Sequence, residues 1–244
     1  TSLNSKKRAL IVFISFFMGA SLLIQNGYAK NSDNHKSKLV ILVHGLMRTS
    51  SSMKPLGLFL EQHGYTVYAY NYPSRKNSIQ EHSKELVDSI QQVITQNKDR
   101  DIYFITHSMG GIITRDALTQ LSLEQVKQVK GLIMLAPPNK GSELARLSTT
   151  FFPIISHFIK PLAELSSAQN AYVHQVSIPK VKMAIIAGRY DAKVPVDSTF
   201  LNPSVETSIV SSTHTYIMNN PQTKELVLNF LEHGSLAHHS DLGA

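Results

Sequence analysis

The amino-acid sequence predicts an α/β fold, a mainly parallel sheet of about six strands with helices on both faces. Three observations predict it. Short apolar runs at residues 39–43, 65–70, 102–105, 131–135, 181–187 and 208–210 alternate with segments of helical spacing, as in a parallel sheet crossed by helices. The first run, Leu-Val-Ile-Leu-Val, is continuous rather than alternating, as a strand buried on both faces requires. Finally, the residues with the most chemical potential follow strands directly, at the carboxyl edge where such sheets gather reacting groups. A chain of 244 residues with 42% hydrophobic and 17% charged content is enough for one sizeable core and argues against extensive disorder.

The N-terminus stands apart from this fold. Lys6-Lys7-Arg8 is a basic patch, residues 9–24 are an apolar run, and Gly27-Tyr28-Ala29 is a small-x-small exit. Together they read as a secretory signal peptide over residues 1–29, cleaved after Ala29, which predicts a secreted or periplasmic protein. The competing reading is a membrane anchor, for which the run is shorter than the ~20 residues a spanning helix needs. A single domain is expected over residues 30–234 and a polar, flexible tail over 235–244. The absence of cysteine excludes a lipid-attached export signal and a disulfide framework. Removing the three basic residues of the leader leaves 24 − 3 = 21 basic against 17 acidic residues. This mild excess allows transient contact with anionic membrane surfaces. No dense Lys/Arg tract interleaved with aromatics suggests nucleic-acid binding.

Within the domain, the first strand ends in His44-Gly45-Leu46-Met47. Ser51 or Ser52 is placed to cap a helix with Pro55 in its first turn and Gly64 as its stop. A second strand over 65–70 leads into Asn71-Tyr72-Pro73-Ser74. Ser78-Ile79-Gln80-Glu81 is a capping box opening a helix to about Gln96, with Leu86, Ile90, Val93 and Ile94 on its apolar face. The third strand runs into Thr106-His107-Ser108-Met109-Gly110-Gly111, and a helical pattern continues to Leu121. A serine on a sharp strand-to-helix turn is a nucleophile elbow, although Thr106 stands where Gly-x-Ser-x-Gly has its first glycine. The fourth strand ends at Ala136-Pro137-Pro138-Asn139, the fifth at Gly188-Arg189-Tyr190-Asp191, and a weaker sixth at Ser211-Ser212-Thr213-His214. A last helix spans Pro221 to about His233.

A serine hydroxyl is a poor nucleophile until a base takes its proton, and the base is normally a histidine oriented by a carboxylate. On elbow-bearing sheets the order is serine, acid, histidine, which Ser108, Asp191 and His214 satisfy. His214 is the one histidine late in the chain at a strand exit with a helix to follow. His44 and His107 flank the reacting centre and are expected to shape it. His63, His82 and His233 read as residues of helix surfaces and ends. For the acid, Asp197 competes with Asp191; Asp191 is preferred because it follows its strand immediately. The N–H of Met109 and that of Leu46 are the natural donors to a tetrahedral oxyanion. No metal-ligand spacing or phosphate-cradling loop stands out, so no cofactor is expected.

The segments 42–53, 72–75, 106–112, 136–144, 191–199 and 214–221 resemble, in collinear order, small bacterial lipase/esterase-like α/β-hydrolases, a subgroup in which threonine commonly replaces the first elbow glycine. The resemblance implies a minimal α/β-hydrolase fold without the two leading strands of larger members. It implies Ser108, Asp191 and His214 as the triad, Leu46 and Met109 as the oxyanion hole, and an acyl ester or lipid substrate. Hydrolysis through an acyl-enzyme is the expected reaction, with acyl transfer or non-catalytic binding on the same fold as alternatives. Residues 149–165 carry an apolar stripe including Phe151, Ile155 and Phe158. It reads either as a lid or acyl-binding wall above Ser108, or as a helix packed on the sheet. Arg48 and Arg75 are candidates to meet a charged head group, against the commoner role of solvated surface arginines.

Overall fold

The computed structural model describes residues 37–141, 159–166 and 169–237. The leader at 1–29, Phe151, Ile155, Phe158 and residues 238–244 lie outside the described residues. The architecture is a single sheet in the order β2-β1-β3-β4-β5-β6, with every neighbouring pair parallel. Its strands are β1 (Lys38–Val43), β2 (Thr66–Tyr70), β3 (Asp101–His107), β4 (Val129–Leu135), β5 (Met183–Gly188) and β6 (Glu206–Val210).

Alternation along β1 shows how the sheet builds two cores. Leu39, Ile41 and Val43 enter one apolar cluster, while Val40 and Leu42 enter the other. The first cluster is roofed by α2 (Ile79–Gln96) and α3 (Met109–Thr119), through Leu86, Ile90, Ile112, Ile113 and Ala117. The second lies under α1 (Lys54–Gln62) and α7 (Pro221–His233), through Leu56, Leu60, Val227 and Phe230. Three short helices complete the described chain: α4 (Leu123–Gln128), α5 (Pro161–Glu164) and α6 (Val196–Thr199).

Local chemistry explains most boundaries. The Ser78 hydroxyl accepts from the Glu81 N–H and the Glu81 carboxylate accepts from the Ser78 N–H, so α2 begins at its capping box. The Glu164 carboxylate adds a bond from the Ile79 N–H at 2.7 Å, which docks α5 on the same helix start. The serine cap predicted for α1 is not formed. Residues Ser50–Met53 make a 3-10 turn instead, Met53 is the cap residue without a side-chain bond, and the Ser52 hydroxyl donates to the Thr49 carbonyl. His82, read as a surface histidine, is buried against Tyr72, with ring centroids 4.7 Å apart. Of the segment expected to be a tail, residues 235–237 are docked. Leu236 is fully buried, and the Glu206 carboxylate accepts from its N–H, from the Ala237 N–H and from the Ser235 hydroxyl.

Candidate active site

The carboxyl ends of β1, β3, β5 and β6 meet at one rim. Ser108 joins β3 to α3 with φ 53° and ψ −126°, a positive-φ conformation that a non-glycine residue adopts only under constraint. Two contacts impose it. The Ser108 N–H donates to the Leu135 carbonyl at 2.8 Å, and the Gly111 N–H donates to the Ser108 carbonyl at 3.0 Å. The turn is possible because α3 starts almost on top of β1. A Cβ at Gly110 would lie 2.6 Å from the His44 carbonyl oxygen and 2.7 Å from that of Val43. At Gly111 a Cβ would lie 3.1 Å from the Thr106 hydroxyl oxygen. The missing side chain after the serine therefore makes room for the threonine that replaces the expected glycine before it.

Asp191 and His214 are brought together by backbone pairing of the loops after β5 and β6. The Arg189 N–H donates to the Val210 carbonyl and the Tyr190 N–H to the Ser212 carbonyl. Gly188 permits the approach, since a Cβ there would sit 2.7 Å from the Ser212 carbonyl oxygen. The His214 Nδ1–H then donates to Asp191 Oδ2 at 2.6 Å. Asp191 Oδ1 accepts from the backbone N–H groups of Lys193 and Val194 at 2.9 and 2.8 Å. The carboxylate is fully enclosed and all of its bonds are with N–H donors, so its orientation is fixed. Asp197 lies exposed within α6 and makes no such contact.

His107 ties His214 to the turn at Ser108. Its Nε2–H donates to the His214 carbonyl at 2.9 Å, and the two rings lie 4.6 Å apart. Burial, followed by the neighbouring His214, pushes the His107 imidazole well below the ordinary histidine range. It is a neutral ring whose Nδ1 has no hydrogen-bond partner among the described residues. The Ser108 hydroxyl makes no hydrogen bond to His214 in this state, a contact that unliganded enzymes often complete only with substrate in place.

The other half of the rim is the loop after β1. Gly45 backs onto Ser108, its ideal Cβ falling 3.0 Å from the Ser108 Cβ. Leu46 lies in the turn that follows, closed by the Arg48 N–H to the Gly45 carbonyl at 3.3 Å. Met47 takes φ 59° at the tip. The Met109 N–H is the first of α3 and has no intrahelical acceptor. His44 holds this loop. Its Nδ1–H donates to the Gly45 carbonyl, its Nε2 accepts from the Tyr72 N–H, and the Tyr72 hydroxyl donates to the His44 carbonyl at 2.7 Å. The two rings stack at 4.2 Å, and burial lowers the His44 pKa. His44 and His107, expected to shape the reacting centre, each bond to a loop of this rim.

Two features escaped the sequence reading. Arg115 is fully buried on α3, donating to Asn139 Oδ1 at 2.8 Å and to the Val176 carbonyl at 2.7 Å. The Asn139 amide in turn donates to the Thr199 carbonyl, so the loop after β4 is braced between α3 and α6. Burial lowers the guanidinium to about 10, which leaves it charged at neutral pH. An arginine inside the apolar stretch 109–118 was the available signal. The second is a bond from Arg48 Nη2 to the Thr215 hydroxyl at 3.1 Å. Among the described residues, no three His, Cys, Asp or Glu side chains converge as metal donors would.

Comparison with known proteins places this geometry. A family model described as serine aminopeptidase, S33 (Hydrolase_4) matches residues 34–183, a span that includes the β1 loop and Ser108 and stops before Asp191 and His214. A Mycoplasma pneumoniae protein provisionally named an esterase/lipase is 29% identical over 107 residues, which is 42% of this chain. The chain spans 38% of the length of that curated relative. A Bacillus licheniformis lipase in its mature form superposes with a TM-score of 0.65 at 18% identity, covering 81% of this chain and 92% of the lipase. A Pyrococcus furiosus esterase does so with a TM-score of 0.59 at 23% identity, covering 84% and 86%. At these identities the two solved structures share the fold.

Proposed function

Because the chain belongs to the Hydrolase_4 (serine aminopeptidase, S33) family of α/β-hydrolases, we propose that it is a serine hydrolase cleaving carboxylic esters through an acyl-enzyme. The observation that carries this reading is the enclosed Asp191–His214 pair beside a positive-φ serine. In the proposed cycle, His214 Nε2 takes the Ser108 proton as the hydroxyl oxygen attacks the ester carbonyl. Asp191 keeps Nδ1 protonated and steadies the imidazolium. The oxyanion is held by the backbone N–H groups of Leu46 and Met109. The imidazolium returns its proton to the leaving alcohol. Water, deprotonated by the same ring, then releases the acid. Acyl esters and lipids are the proposed substrates.

Labelling by a fluorophosphonate probe, present in the wild type and lost in Ser108→Ala, is the direct test. Retained labelling in the variant removes Ser108 from the scheme. Turnover of p-nitrophenyl esters should fall by about 10³- to 10⁴-fold in Asp191→Asn and stay near wild type in Asp197→Asn; equal losses reassign the acid. An aminoacyl p-nitroanilide measured alongside separates ester from amide cleavage, and added acceptor alcohol reveals transfer. Export is proposed from residues 1–29 alone. Recovered extracellular or periplasmic protein beginning at Lys30 supports it, and a retained leader opposes it.

A further inference from the structure

We infer, on the basis of the ester-hydrolase reading above, that Arg48 receives an oxyanion of the phosphate or carboxylate type carried by the substrate near the scissile ester. The Arg48 N–H closes the turn after β1, and its guanidinium crosses the rim to the residue after His214. It is half-buried. Its side-chain partner is a neutral hydroxyl, and among the described residues no carboxylate forms an ion pair with it. Thr215 uses one of the five N–H donors of the guanidinium fork, and the geometry of that fork matches planar or tetrahedral oxyanions.

Electrostatics gives the arrangement a direction. The charges of Arg48 and Lys193 both reach the buried His107, against which the His214 ring lies tilted at 4.6 Å. The rim carboxylate, Asp191, is saturated by His214 and two backbone N–H groups. The same cations draw an anionic substrate to the cleft, and the guanidinium fork of Arg48 has donors left to receive it. Arg75, the other arginine near this rim in sequence, is exposed and has no comparable contact with the His214 loop.

The test compares 1-butyrylglycerol 3-phosphate with 1-butyrylglycerol, two soluble esters differing in one phosphate. The wild type should prefer the phosphate ester in kcat/KM by about tenfold or more, chiefly through KM. That preference should weaken with added NaCl, while the neutral ester is unaffected. Arg48→Gln should abolish the preference, losing about tenfold more kcat/KM on the phosphate ester than on the neutral one. Arg48→Lys should restore part of it, and Arg75→Gln should match the wild type. Inorganic phosphate should compete with substrate in the wild type and not in Arg48→Gln. Equal use of the two esters by the wild type overturns the inference, as does an equal loss on both in Arg48→Gln, which would make Arg48 only a tether between loops. Preference confined to 1-oleoylglycerol 3-phosphate in vesicles also overturns it, because the anionic surface would then be responsible. If neither ester is turned over and the fluorophosphonate probe leaves Ser108 unlabelled, the hydrolase reading itself fails and this inference falls with it.

Discussion

Acidification should destabilise the protein through His107, and the effect can be worked from its surroundings. The ring is fully enclosed, donates from Nε2 to the His214 carbonyl and, among the described residues, has no acceptor for a proton on Nδ1. Its folded pKa is therefore held well below the value near 6.5 of an unfolded chain. As pH falls, the unfolded state binds the proton first, so stability is lost from about pH 6.5 downward and is complete above it. Between pH 7 and 5.5 one such group removes about 1 kcal/mol. For a domain of this size that is roughly 0.4 M in the urea midpoint. In a His107→Gln variant the new amide can still donate to the His214 carbonyl and carries no charge to titrate. The variant should lose that much less stability over the same interval, whatever its stability at pH 7. Because the chain has no tryptophan, urea titrations followed by far-UV circular dichroism are the suitable assay. Burial shifts His44 and His82 in the same direction, so the variant should retain part of the pH dependence. Identical losses in wild type and variant would show that His107 is protonated, or open to water, in the folded protein.

Three further outcomes follow from the packing. Gly111→Ala alone should cost about 1–3 kcal/mol because its Cβ meets the Thr106 hydroxyl. Combining it with Thr106→Gly should recover at least about 0.5 kcal/mol relative to additivity, and strictly additive urea midpoints would refute the compensation. Arg115→Met should cost about 1–3 kcal/mol by leaving Asn139 Oδ1 and the Val176 carbonyl without their donor. Arg75→Met should stay within about 0.5 kcal/mol, so equal melting temperatures for the two variants would discount the brace. Gly110→Ala should lose probe labelling together with stability, since its Cβ meets two backbone carbonyls, those of Val43 and His44, that cannot move aside; full labelling would mean that the elbow tolerates a shift of α3.

Much of this arrangement was readable before any coordinates. Uninterrupted apolar runs marked strands with two buried faces, and the capping box at Ser78 and the prolines Pro55 and Pro221 marked helix starts, because these signals act within a few residues. α2 (Ile79–Gln96) and α7 (Pro221–His233) accordingly begin where Ser78 and Pro221 say they should. The pairing of Asp191 with His214 was legible because chain order and strand exits constrain it. What the sequence concealed depends on distant partners. The burial of His82 is decided by Tyr72, and the docking of Leu236 by Glu206 and the apolar cluster beneath α7. The reach of Arg48 to Thr215 spans 167 residues. The serines before α1 misled because a 3-10 turn can absorb the same residues that would otherwise cap a helix.

The clasp between Glu206 and residues 235–237 has a consequence for where the chain can be cut. β6 is an outer strand, paired on one side only, with β5. Its far end delivers the imidazole at position 214, and its near end is moored by the last described residues of the chain. A protein trimmed after Gly234 would lose a buried leucine and strand a carboxylate without its donors. The hem of the sheet would loosen on the side that carries His214, so these last described residues help to hold the rim where that ring meets Asp191.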